Sequence, residues 1–101
     1  MGNNIQRNLF EISGRVTFVG QPEEISTKTT KRILVIETIT GTNWKNETNF
    51  EFRNELMKEC DGVKEGDWVT IQFQLAGRRH AKEGSPVKFY NTIEGRRVSI
   101  D

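Results

Sequence analysis

Between Trp68 and Leu75 the chain alternates without a break: Val69, Ile71, Phe73 and Leu75 are apolar, and Trp68, Thr70, Gln72 and Gln74 stand between them. A period of two puts the first set on one face of a β-strand and the second, with Arg78, on the other. One face is thus a core face, and the solvent face carries an indole and a guanidinium. The turn signal Lys64-Glu65-Gly66-Asp67 leads into this strand. Phe10, Ile12, Val16 and Phe18 alternate in the same way with Glu11, Ser13, Arg15 and Thr17. Gly14 falls in the apolar register, and a glycine there predicts the bend or bulge by which a long first strand curls around a barrel. Arg32 to Thr40 holds Ile33, Leu34, Val35, Ile36 and Ile39, a β-branched run expected to be buried on much of both faces. In Glu47 to Arg53, Phe50 and Phe52 share a face opposite Asn49, Glu51 and Arg53. In Val87 to Ile93, Val87, Phe89, Asn91 and Ile93 oppose Lys88, Tyr90 and Thr92. Glu94-Gly95 reads as a turn or bulge, and Arg96 to Ile100 as an edge segment.

The intervening stretches are loops. Gly20-Gln21-Pro22 ends the first strand, and Glu23 to Thr30 is polar and threonine-rich. Gly41 to Asn46 is a turn carrying Trp44, and His80 to Pro86 is a hairpin loop. Glu55 to Cys60 is the single segment suited to a helix, with Asn54 as its expected N-cap, Leu56 and Cys60 on one side, and Asp61-Gly62 as its stop. Met1 to Asn8 is polar and expected to be flexible, so the domain is expected to span residues 9–101. The element order β-β-β-α-β-β is that of the OB-fold, an all-β, five-stranded Greek-key barrel with one short helix between strands three and four. Another small barrel and a one-helix α+β sheet are the alternatives. The long bent first strand and the helix position favour the OB-fold.

Composition narrows the function classes. A chain of 101 residues is one domain. Its 15 basic and 14 acidic residues leave a net charge of +1, so any attraction to nucleic acid must come from uneven placement. No apolar run reaches the length of a membrane span, and with no secretory apolar region near the N-terminus no export is expected. Gln6 stands where the myristoylation pattern needs Ser or Thr. The single Cys60 excludes an internal disulfide and fits a reducing, cytoplasmic setting. Enzyme readings find little support. Cys60 and the single His80 lie a whole strand apart, and no phosphate-binding, dinucleotide-binding or nucleophile-elbow motif is present. No metal or cofactor is expected.

The segments FEISGRV, LVIET, NFEFRNELMKECDGVKEGDWVTIQFQLAGR and VKFYNTIEGRRVSI resemble bacterial and phage single-stranded DNA-binding proteins of the OB-fold type. They are closer still to small single-domain proteins found in Bacteroidetes and their phages. The resemblance runs from about Leu9 and is most specific over Phe50 to Arg79. It implies base stacking at Phe52, a basic end of the fourth strand at Arg78-Arg79-His80, and an aromatic opening of the fifth strand at Phe89-Tyr90. The replicative proteins of that type end in a tail with an acidic, hydrophobic tip. This sequence stops at Asp101, so recruitment of partners by that route is not expected.

Sequence-tolerant single-strand binding needs cations for phosphates and aromatic faces for bases. The stacking candidates are Trp44, Phe52, Trp68, Phe89 and Tyr90, with His80 as a weaker stacker. Candidates for phosphate are Lys28, Arg32, Arg78, Arg79, Lys82 and Lys88, followed by Lys31, Lys45, Arg53, Arg96 and Arg97. In an OB-fold the binding face spans strands two and three and is flanked by the loops joining strands one to two and four to five. The expected function is non-catalytic binding of single-stranded DNA with low sequence preference, in replication, recombination or repair, by a homodimer or homotetramer. RNA is the alternative ligand. A protein-interaction or assembly module without nucleic acid is the alternative function.

Overall fold

The computed structural model describes residues 7–101, so the expectation of a flexible start falls, as far as Gln6, outside the described residues. Six strands and one short helix follow in order: β1 (Phe10–Val19), β2 (Glu23–Ser26), β3 (Thr29–Thr40), β4 (Trp44–Arg53), a 3₁₀ helix (Asn54–Cys60), β5 (Trp68–His80) and β6 (Lys88–Ile100). The lateral order is β1-β5-β6-β4-β3, and β1 also pairs with β3, which closes the sheet. Every pairing is antiparallel except β4 with β6, which meet in parallel at Glu51 and Glu94. This is the five-stranded Greek-key barrel of the OB-fold. β2 is a small addition that pairs with the start of β3, so the stretch expected to be a loop, Glu23 to Thr30, is instead a tight hairpin.

β1 closes the barrel because it serves two neighbours. Phe10 to Arg15 pairs with β5, and Arg15 to Val19 pairs with β3. At the crossing a Cβ on Gly14 would stand 2.7 Å from the Glu37 carbonyl oxygen, so the approach of the two backbones requires glycine. A bulge at Thr17 follows: Val16 faces Ile36 but Phe18 already faces Val35. The extra residue inverts the alternation. Phe18, expected in the core, is exposed, and Val19 packs against the core in its place.

The core is Val16, Leu34, Ile36, Phe50, Phe52, Cys60, Val63, Val69 and Ile71. Phe73 extends it, standing edge-on to Phe50 with ring centroids 5.3 Å apart. Phe52 is 0% exposed, and its ring occupies the space above Gly95. Glu94-Gly95 proves to be a bulge, with Phe73 opposite Gly95 and Gln72 opposite Arg97. Arg96 to Ile100 therefore continues β6 and is not a separate edge segment. The Lys64–Asp67 turn forms as the sequence suggests: the Lys64 amide donates to Asp67 Oδ2 at 2.9 Å, Gly66 takes φ +95°, and the Gly66 amide donates to the Val16 carbonyl.

The helix departs from expectation in two ways. It has 3₁₀ geometry, and Asn54 is not its cap. Asn54 sits at φ +52°, a left-handed conformation that Asn tolerates, and its Oδ1 accepts a hydrogen bond from the Thr30 amide at 3.1 Å. It thereby ties the helix to β3. Burial pushes the Cys60 thiol, which ends the helix, up to about 11, with Arg32 pulling the other way. The thiol is thus held neutral and unreactive at physiological pH.

The Cα radius of gyration is 15.8 Å, against about 13 Å for a compact chain of this length. The excess reflects two-stranded arms that extend beyond the barrel. Leu75, Val87 and Phe89 lie on nominally apolar faces but are exposed, because their strands have left the barrel at that point. Asn8 holds the base of the β5–β6 arm: its Nδ2 donates to the Leu75 carbonyl at 2.6 Å and its Oδ1 accepts from the Leu75 amide at 2.9 Å. Among the described residues no helix is long and apolar enough to cross a membrane.

Replacing Gly95 with alanine would drive a methyl group to within 2.2 Å of the Phe52 ring. Overpacking of this kind costs about 1–3 kcal/mol. Urea denaturation of Gly95→Ala should show an unfolding free energy lower by that amount, whereas Lys82→Ala, in the exposed hairpin loop, should lose less.

Candidate nucleic-acid interface

The outer halves of β5 and β6 pair in a regular register, with Arg78 opposite Tyr90, Arg79 opposite Phe89, and His80 opposite Lys88. Strand alternation then gives the arm two distinct faces. One carries Arg78, Tyr90, His80 and Lys88. The other carries Arg79, Phe89 and Asn91. Tyr90 is 51% exposed and Phe89 64%. The His80 ring stands edge-on to Tyr90 at 6.4 Å, and the Arg79 guanidinium lies over the Phe89 ring at 5.3 Å from its centroid. These contacts set the Tyr90 ring beside an imidazole and one face of the Phe89 ring under a guanidinium, and both rings remain more than half exposed. Among the described residues none of Arg78, Arg79, Lys82 and Lys88 has a carboxylate partner.

Where the arm leaves the barrel, each face opens into a cleft. Tyr90 and Arg78 share a hollow of about 240 Å³ with Arg53, Thr92 and Glu94. On the other side a groove of about 350 Å³ runs between β6 and the outer face of β3–β4, lined by Ile33, Asn49, Asn91 and Ile93. Its floor is Glu51, a carboxylate only 9% exposed. Lys31 Nζ lies 3.3 Å from one of its oxygens and Arg53 Nη2 3.1 Å from the other. A buried carboxylate needs such pairing, and here it leaves one net positive charge at the groove.

The residues singled out in the sequence divide between this region and elsewhere. Arg78, Arg79, His80, Lys82, Lys88 and Tyr90 come together on the arm. Lys28 occupies the β2–β3 turn, at the end of β3 where Lys31 pairs with Arg53, and is exposed. Phe52 is corrected: its ring points inward and is fully buried against Gly95, so it cannot serve as a platform. Arg32 is also corrected from a phosphate ligand to a structural residue. Its Nε donates to the Gly20 carbonyl at 2.8 Å and its Nη1 lies 3.2 Å from Asp61 Oδ1. Trp44 is 70% exposed but stands at the start of β4, about 30 Å along the strand from Arg53. It is not brought to the arm. Trp68, at the start of β5, lines an apolar hollow of about 470 Å³ with Ile12 and Ile39, bounded by the Arg15–Glu37 ion pair at 3.6 Å.

The sequence reading passed over Asn49, Asn91 and Glu51. Outward amides in strands carry no motif, and the groove exists because β6 lies beside β4, a pairing with no local signal.

Residues 11–99 match the family described as a domain of unknown function (DUF3127), and the chain belongs to that family. No curated protein matches it in sequence. Among solved structures it is similar to the mitochondrial single-stranded DNA-binding protein Rim1 of S. cerevisiae. One crystal structure of that protein superposes with a TM-score of 0.69 at 13% identity, over 95% of this chain and 96% of that chain. A selenomethionine-labelled crystal structure gives 0.66 at 14% identity with the same coverage. At this identity the likeness establishes the fold.

Arg32→Ala should lower unfolding free energy by about 1–2 kcal/mol in urea, as expected for loss of a charged hydrogen bond to a carbonyl. Lys82→Ala, in an exposed loop, should stay within about 0.5 kcal/mol of the parent.

Proposed function

We propose that this protein binds single-stranded DNA without catalysing a reaction on it, in a cytoplasmic setting of replication, recombination or repair. The observation that carries the reading is the β5–β6 arm, where exposed Tyr90 and Phe89 stand among Arg78, Arg79, Lys82 and Lys88, none paired to a carboxylate among the described residues. Bases stack on the aromatic rings for about 1–3 kcal/mol each, and the cations follow the phosphates. Both terms are largely blind to sequence. The similar fold of the yeast mitochondrial single-stranded DNA-binding protein supports this reading.

Fluorescence anisotropy with labelled oligo-dT of about thirty nucleotides tests it, because that length accommodates more than one barrel. Four phosphate contacts on a single strand give a log–log salt slope of about −3. Affinity should therefore fall about fiftyfold between roughly 50 and 200 mM salt. A duplex of the same length should bind far more weakly. Tyr90→Ala should weaken binding about tenfold with an unchanged melting temperature. Salt-insensitive binding, or none at low salt, would remove the reading. RNA competition separates the two ligands, because the 2′-hydroxyl is what differs.

A second reading is favoured by the apolar hollow around Trp68, Ile12 and Ile39, which lies at the opposite end of β5 from the arm. We propose that a second copy of the chain covers it, forming the homodimer on which a small binding site depends for affinity. Light scattering should then give a dimer or larger species for the parent chain and a monomer for Trp68→Glu. A parent that stays monomeric at high concentration would rule this out.

A further inference from the structure

The groove between β4 and β6 carries a feature that stacking and phosphate binding do not use. Asn49 projects from the outer face of β4, two residues from Glu51, and Asn91 projects from β6; both line the same groove. Among the described residues neither amide makes a side-chain hydrogen bond. Each therefore offers a free donor and a free acceptor side by side. Asn91 lies opposite Gly77 in the ladder, and a Cβ on Gly77 would stand 3.3 Å from Asn91 Oδ1. The missing side chain at position 77 is what gives the amide its place. Phe89 is on the same face two residues before Asn91, about 7 Å away along the strand, so a base on Phe89 lies within reach of the amide. Glu51 does not repel that base, because Lys31 and Arg53 take both of its oxygens.

We infer that this groove selects one unstacked purine from the bound strand, read by the Asn49 and Asn91 amides together. The inference rests on the single-strand reading above and deepens it. The reason is the geometry of base edges. An amide pairs with an adjacent donor and acceptor on a base, as Asn does with adenine. A purine has two such pairs. Adenine offers one N6 hydrogen beside N1 and the other beside N7; guanine offers N1–H beside O6 and an N2 hydrogen beside N3. Thymine has a single N–H to share between two carbonyls, and cytosine places its second N4 hydrogen beside a C–H. A pyrimidine thus satisfies one amide and leaves the other short of a partner. Binding along the rest of the strand stays tolerant, with selectivity confined to one position.

The test uses the full chain and a set of dT oligonucleotides that differ in one central nucleotide, which avoids the self-stacking of an all-purine strand. The substitutions are deoxyadenosine, deoxyguanosine, deoxycytidine and the deoxynucleoside of nebularine, a purine that lacks the 6-amino group. The expected result is binding about tenfold tighter for adenine or guanine than for cytosine or all-thymine, the discrimination of one extra bidentate pair. Nebularine should lose that gain while keeping its stacking face. In Asn49→Ala and Asn91→Ala, checked for folding by circular dichroism, the gain should vanish and the affinity for all-thymine should persist. Equal, saturable binding of every oligonucleotide would overturn the purine site alone. So would a gain that survives in nebularine or in both variants, because stacking would then explain it. Absence of binding to any of them would overturn this site and the single-strand reading together.

Discussion

The ring of Phe52 against the bare backbone of Gly95 is the contact on which the rest of the architecture depends. It seats β4 against β6 at the parallel Glu51–Glu94 pairing, the one parallel junction of an otherwise antiparallel barrel. A side chain at position 95 would keep the two strands apart. The contact also divides the two strands functionally. On the inner side of β4, Phe50 and Phe52 fill the core; on its outer side, Asn49, Glu51 and Arg53 face a groove. On the hairpin side of Gly95, β6 parts from β4 and continues with β5 as a free arm.

Charge is organised by the same division. A net charge of +1 conceals a strong separation. The acids next to the barrel are taken up by basic neighbours: Glu51 by Lys31 and Arg53, Asp61 by Arg32, Glu37 by Arg15. Most of these pairs are partly exposed and contribute little to stability. The contacts from Lys31 and Arg53 have a larger effect, neutralising Glu51, the carboxylate that would otherwise oppose a polyanion beside the arm. On the arm itself Arg78, Arg79, Lys82 and Lys88 outnumber the one carboxylate of the loop, Glu83. The two surfaces singled out for function lie at opposite ends of β5, with Trp68 at its start and Arg79 near its end, about 35 Å apart along the strand. A strand bound at one end and a second copy at the other would not compete.

Much of the fold was legible in the amino-acid pattern. Alternation at period two identified five long strands, the Lys64–Asp67 turn and the single short helix, and these in order indicated the barrel. The same pattern placed Arg78, Arg79, His80, Lys82, Lys88 and Tyr90 around one hairpin, because neighbours across a hairpin are near in sequence. It misplaced Phe52 and Arg32. Phe52 and Phe89 both sit in alternating strands, and nothing local says that one is under a barrel and the other beyond it. Arg32 looks like any strand arginine until the Gly20 carbonyl and Asp61 are brought to it from distant segments. Trp44 shares a strand with Arg53, but strand length separates them.

Period, turn chemistry and charge are local properties, and they can be read from neighbouring residues without knowing what lies across from them. Which face of a strand is covered is not local. It depends on the strand that arrives from elsewhere, and a single extra residue reverses it. The bulge at Thr17 turns Phe18 outward, and the bulge after Gly95 shifts Arg96 and Arg97 relative to β5. The groove holding Asn49 and Asn91 belongs wholly to this second class. Its two walls are more than forty residues apart in the chain, and they become neighbours because the Phe52 ring fits over a glycine.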